Sequence, residues 1–154
     1  MRSKINLFTN SLIKHLTECF EAKIEEFNAE NPKNKVRNIE KWYSGFFGVA
    51  AGLDANPGAL ILIPSISTIN PFFDQYSVKV AIAVSADDNA WLEELGRAWT
   101  DILLDSLRTS WTLGGLAVIV QHPVTINIDC TASRYIVEAS FDCEVDLGGF
   151  AYEE

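Results

Sequence analysis

The sequence predicts an α+β fold: an antiparallel sheet of about four to five strands with two long helices packed on one of its faces. Three observations carry that expectation. Two long stretches repeat apolar residues at three- and four-residue steps, three stretches alternate apolar with polar residues, and the elements run helix, loop, strand, strand, helix, strand, strand. At 154 residues, 48% apolar and 21% charged, the chain has the length and composition to bury one core and is read as a single domain over residues 1–154.

The first helix is expected over Lys4–Ala29. Ile5, Phe8, Leu12, Leu16, Cys19, Phe20, Ile24 and Phe27 share one face, while Lys14, Glu18, Glu21 and Glu25 fall off it. Asn31-Pro32 ends it, because the residue before proline is pushed out of the α region. Val36–Tyr43 reads as a short strand. Gly45–Gly58 combines four glycines with Phe46, Phe47, Val49 and Leu53, an irregular segment apolar enough to dock on something. Ala59–Ile63 is a continuous apolar run, expected to stop as a strand at Pro64, and Asn70-Pro71-Phe72-Phe73 reads as a turn.

Tyr76–Val84 alternates, with Tyr76, Val78, Val80, Ile82 and Val84 on one side. Asp87 or Asp88 is placed to cap a second helix over Asn89–Ser110, whose apolar stripe is Trp91, Leu95, Ala98, Trp99, Ile102, Leu103 and Leu107. Leu113-Gly114-Gly115 is the expected helix stop, with Gly114 in the left-handed conformation that a β-carbon penalises. Val124–Cys130 and Tyr135–Val145 then form a hairpin around Thr131–Arg134. In that register residue 130 faces 135, residue 128 faces 137, and Cys143 faces His122, so the thiols are expected to be free and buried.

The composition excludes several function classes. With 21 acidic against 12 basic side chains, net −9, the chain is poorly suited to gripping phosphates or an anionic membrane surface. Three cysteines without a Cys-x-x-Cys pair fit neither a disulfide framework nor a zinc site, and no signal peptide or spanning segment is expected, which points to synthesis in a reducing compartment. The two histidines, His15 and His122, have no nucleophile or metal partner at motif spacing. The glycine-rich GFFGVAAG lacks the Gly-Lys-Ser/Thr ending of a phosphate loop, and Ser44-Gly45 lacks the glycine of a nucleophile elbow. No catalytic residue, metal or cofactor is expected.

Two groups of residues remain as candidate surfaces. Glu138, Asp142, Glu144 and Asp146 share the outer side of the last strand. They read as a solvated face, or as a surface kept negative so that DNA passes without sticking. Acid–base catalysis is the weakest reading, since no pocket-forming aromatics interleave with them. Trp42, Tyr43, Phe46, Phe47, Phe72 and Phe73 cluster outside the main elements. Part of this set is expected to fill the core. The remainder would leave an apolar patch that self-association into a ring would cover.

The segments Tyr76–Val84, Ser85–Leu116 and Tyr135–Val145 together resemble the tail terminator and head–tail joining proteins of tailed bacteriophages. They cover roughly half of the chain, and Leu113-Gly114-Gly115 is the one near-literal motif. The resemblance implies a non-enzymatic virion subunit, assembled in the host cytoplasm. It would form a ring, typically a hexamer, that stops tail-tube polymerisation and docks on the head connector, with DNA passing through the lumen. The acidic strand face would line that lumen, and the aromatic loops would contact neighbouring subunits or the tube. The alternatives are another neck or minor tail component of the same architecture, or a small-molecule-binding domain with Trp91, Trp99 and Tyr135 as cavity walls.

Overall fold

A computed structural model describes residues 3–43, 55–109, 112–113, 119–131 and 133–146. In chain order these form α1 (Lys4–Glu30), β1 (Lys41–Tyr43), β2 (Gly58–Asn70), β3 (Phe73–Ser85), α2 (Asn89–Thr109), β4 (Ile119–Cys130) and β5 (Arg134–Asp146). The fold is α+β. Among the described residues the sheet order is β1-β2-β3-β5-β4, antiparallel throughout except for the short β1–β2 pair.

β3 and β5 form the centre of the sheet. They pair without a break from Phe73↔Asp146 to Ser85↔Arg134, so their alternation runs in phase. Tyr76, Val78, Val80, Ile82 and Val84 therefore lie on the same side as Tyr135, Val137, Ala139, Phe141, Cys143 and Val145, and all are buried. Both helices cover this face. α1 contributes Phe8, Leu12, Leu16, Phe20 and Ile24, and α2 contributes Leu92, Leu95, Ala98, Trp99, Ile102, Leu103 and Leu107. Each large apolar side chain buried here contributes roughly 1.5–3 kcal/mol. Aromatic contacts tie the layers together: Phe8 meets Tyr76 edge-on at 5.0 Å, and Phe20 lies between Trp99, edge-on at 5.5 Å, and Trp42, stacked at 6.2 Å.

The helix starts follow local chemistry. The Ser3 side chain accepts from the Asn6 amide at 3.3 Å, and Asp88 Oδ1 accepts from the amides of Ala90 and Trp91 at 2.9 and 3.4 Å. The α1 C-terminus is closed by Asn31, whose backbone and side-chain nitrogens both donate to the Phe27 carbonyl at 3.0 Å.

Several expectations need correction. β2 does not stop at Pro64 but continues to Asn70. The proline falls where the β2–β3 register shifts between Leu62 and Ser65, so its missing N–H interrupts no regular ladder position. β4 begins at Ile119, ahead of the alternating run, and a register shift between Gln121 and Thr125 holds Pro123. The predicted pairs Cys130↔Tyr135 and Ile128↔Val137 form, but that shift puts Cys143 opposite Val120 in place of His122. Val36–Tyr43 is strand only over Lys41–Tyr43. Its earlier part is tied to α1, with Asn28 bonding both backbone groups of buried Val36 at 2.7 and 2.9 Å.

Beyond the end of α2 the structure places Leu113 in the left-handed region, at φ 51°. Its side chain is fully buried in the core, and the burial offsets a conformation that non-glycine residues avoid. Gly114 and Gly115 lie outside the described residues, as does the Gly45–Leu53 stretch with Phe46 and Phe47.

Gly96, which the apolar stripe alone does not single out, sits inside α2 against the ring of Tyr135, and a β-carbon there would overlap that ring. An alanine would gain about 1 kcal/mol of helix propensity yet overpack the site by about 1–3 kcal/mol. Gly96→Ala is expected to lower stability, measured by denaturant unfolding. An unchanged or higher midpoint would mean that the ring shifts freely.

Candidate functional site

The face of the sheet turned away from the helices is divided into two zones. At the Gly58 end, Leu60, Ala81 and Ala83 are buried under Tyr43 and Ile136 as a second, small apolar cluster. Further along, β5 presents Glu138, Asp142, Glu144 and Asp146 on this face, the last three at every second residue and about 7 Å apart along the strand, with Ser140 between Glu138 and Asp142. The sequence-predicted acidic set thus lies on one face, and its members differ in setting. Glu138 is 3.6 Å from Lys79, Asp142 accepts from the Ser77 hydroxyl at 2.8 Å, and Glu144 accepts from the Gln121 amide at 3.4 Å. Asp146 is exposed at the strand end opposite Phe73. These partners come from the neighbouring strands β3 and β4. The carboxylates are thereby oriented by the sheet, and the zone keeps its negative sign, with Lys79 the cation in the ion pair.

The aromatic set disperses. Strand alternation sends Trp42 and Tyr43 to opposite faces of the sheet. Trp42 packs on the main core and donates from Nε1 to Thr17 Oγ1 at 3.2 Å. Tyr43 joins the small cluster, and its hydroxyl accepts from the Ala55 amide at 3.1 Å. Both are half-buried and belong to the part of the set that fills the core. Phe73 is half-buried as well. Phe72 is 69% exposed, at the tip of the β2–β3 hairpin, where Asn70 Oδ1 accepts from the amides of Phe72 and Phe73 at 2.8 and 3.1 Å. Ile66 and Ile69, at 40% and 45%, are exposed on the same hairpin. Sequence reasoning missed them because it ended β2 at Pro64.

One pairing of reactive residues was also missed. Cys19 Sγ lies 3.5 Å from His15 Nε2, four residues away on the same face of α1. A nucleophilic Cys–His pair needs a lowered thiol pKa and a raised imidazole pKa. Here burial raises Cys19, helped by Glu18, and burial lowers His15 against the opposing pull of Glu18. Both shifts favour the neutral pair. The side chain of His122 lies outside the described residues.

An open cleft of about 500 Å³ lies where the β4–β5 turn meets the end of β3, with Asp87, Asp129, Asn56 and Arg134 on its walls. A smaller groove of about 200 Å³ runs between α1 and α2, flanked by Lys23, Glu26, Glu30, Asp101 and Asp105. Among the described residues, no group of three or more His, Cys, Asp or Glu is arranged to hold a metal ion, and no helix is long and apolar enough to cross a membrane. Of the three residues named as cavity walls, Trp99 is fully buried against Phe20, Tyr135 covers Gly96, and half-buried Trp91 packs against the main core. Among the described residues, Trp99 Nε1 and Ser106 Oγ are buried without a hydrogen-bond partner.

All three thiols are free but, contrary to expectation, not all buried: Cys130 is exposed, Cys19 half-buried and Cys143 buried. A thiol reagent at neutral pH is expected to modify Cys130 first, Cys19 slowly, and Cys143 only on unfolding. Burial pushes Cys143 from 9.0 up to about 12. Between those values the native chain holds a proton that the unfolded chain has lost, so stability falls as pH rises from about 9 towards 12. Buried Tyr76, raised above its ordinary 10.0, acts in the same direction. Denaturant midpoints across this interval should show the loss, with a shallower slope in Cys143→Ala.

Comparison with protein-family models and with curated proteins yields no match for this chain.

Proposed function

We propose that the chain is a structural subunit of a tailed bacteriophage or prophage. In this reading it is a tail terminator that assembles as a ring, hexameric in the manner of the family it resembles, at the head–tail junction. The observation that carries the reading is the column of carboxylates from Glu138 to Asp146 on the sheet face opposite the helices, each of the first three held by a neighbour-strand side chain. A lumen lined this way repels phosphates, so DNA slides through without specific binding. The raised Cys19 and lowered His15 leave that pair unactivated as a nucleophile, which is in keeping with this reading. Of the aromatic set, Phe72 is the described member exposed enough to contact a neighbouring copy, the tail-tube protein or the head connector. A different neck component of the same architecture would share these features, and binding to purified tube protein separates the two.

Electron micrographs of the purified protein are expected to show annular particles. Wild-type rings should not retain duplex DNA at low salt. A Glu144→Lys, Asp146→Lys double variant should retain it, with the log–log salt slope steepening by about one for each lysine that meets a phosphate. A monomer at high concentration that forms no annuli and does not bind tube protein would overturn the reading.

A further inference from the structure

Native proteins protect the outer strands of a sheet with charged side chains, because an unpaired strand edge is a template for another chain. This sheet carries little such protection. β2, GALILIPSISTIN, has no charged residue over Gly58–Asn70. β4, IVQHPVTINIDC, has Asp129 alone among Asp, Glu, Lys and Arg. In a chain with 21% charged residues that is a marked depletion, and it falls on the two long strands flanking the central pair.

Both strands present an exposed segment. Among the described residues β1 covers β2 only at Gly58–Leu60, and every residue from Pro64 to Asn70 is exposed. β4 is the last strand of the described sheet, and Asn127–Cys130 are exposed, Ile128 at 52%. Each strand has one proline at a register shift: Pro64 is the first residue of the exposed β2 segment, which has a second shift between Thr68 and Asn70, and Pro123 precedes the exposed end of β4. The prolines therefore leave Ser65–Asn70 and Thr125–Cys130 with backbone N–H groups able to pair.

The strand directions make the two edges complementary. β2 is antiparallel to β3, β3 to β5, and β5 to β4, so β2 and β4 run in opposite directions within one sheet. When copies are set side by side with their helices on the same side, β4 of one copy meets β2 of the next in antiparallel orientation, the geometry of an ordinary ladder. The exposed segments are offset along the strands. Ile66 is level with Tyr76 and Cys143, whereas Ile128 is level with Val137, six residues away along β5, or roughly 20 Å. Stagger of this kind is what a sheet needs in order to curve and close on itself.

We propose that the Pro64–Asn70 edge of β2 in one copy pairs antiparallel with the Thr125–Cys130 edge of β4 in the next copy, a head-to-tail contact that closes into a ring. The inference rests on the self-assembling reading above and names its two surfaces. Ile66, Ile69 and Ile128 supply the apolar contact, and the edge backbones supply the hydrogen bonds.

The test uses two full-length variants, Ser67→Lys with Ile69→Lys on β2, and Asn127→Lys with Ile128→Lys on β4. All four positions are exposed, and circular dichroism checks the fold. Each variant alone is expected to stay monomeric by light scattering at concentrations where the wild type assembles. Mixed in equal amounts they are expected to form a dimer, since each keeps the edge that the other lacks. If either variant assembles like the wild type, or if the mixture stays monomeric, this edge contact is overturned while the ring reading stands. A wild type that never associates overturns both. Hydrogen exchange on the unaltered chain provides a second readout that needs no substitution. Amides of residues 65–70 and 125–130 should gain protection together as concentration rises, and an unchanged rate in either segment overturns the contact.

Discussion

The long in-phase ladder between β3 and β5 is the constraint on which the rest of the molecule depends. A register slip of one residue would send every apolar side chain of one strand to the other face. From Phe73↔Asp146 to Ser85↔Arg134 there is no slip, so two strands supply one continuous apolar surface and one continuous polar surface. The helices have a single place to pack. Phe8 on Tyr76, and Phe20 between Trp42 and Trp99, then fix α1 and α2 over the same half of the sheet.

That sorting also creates the candidate site. The carboxylates of β5 are brought into line by the same alternation that buries Val137, Ala139 and Phe141. Their neighbours Ser77, Lys79 and Gln121 belong to the two strands that flank β5. Contacts to the neighbouring strands restrain three of the four carboxylates, Glu138, Asp142 and Glu144, relative to the sheet. The zone of Leu60, Ala81, Ala83, Tyr43 and Ile136 bounds it at one end, so the negative surface occupies one part of the sheet.

What the sequence reveals is what depends on periodicity. Both helices, the alternation of β3 and β5, the Asp88 cap and the side of β5 that carries its acids are legible because each is set within a few residues of itself. The acidic members of the candidate site were therefore visible in advance. What was not legible depends on partners distant in the chain. Pro64 reads as a strand end until the register shift that accommodates it is known. Simple alternation pairs Cys143 with His122, and the β4 register shift moves the pairing to Val120. Trp42 and Tyr43 look like loop aromatics, yet three residues of parallel pairing with β2 divide them between two cores. Leu113 adopts the left-handed turn next to two glycines because its side chain has a buried place to fill, which no local propensity encodes.

The contact between Gly96 and Tyr135 has a further mechanical consequence. An amphipathic helix lying on a sheet can otherwise rotate about its long axis by a few tens of degrees while keeping its apolar side inward. Here the one position without a side chain on that side forms a notch, and a ring from β5 fills it. Any rotation of α2 would drive a neighbouring side chain into the ring, so the glycine fixes the helix's angular setting in the way a key locates a shaft. The outward residues of α2, Glu93, Glu94, Arg97 and Asp101, are thereby held at fixed bearings relative to the strand directions.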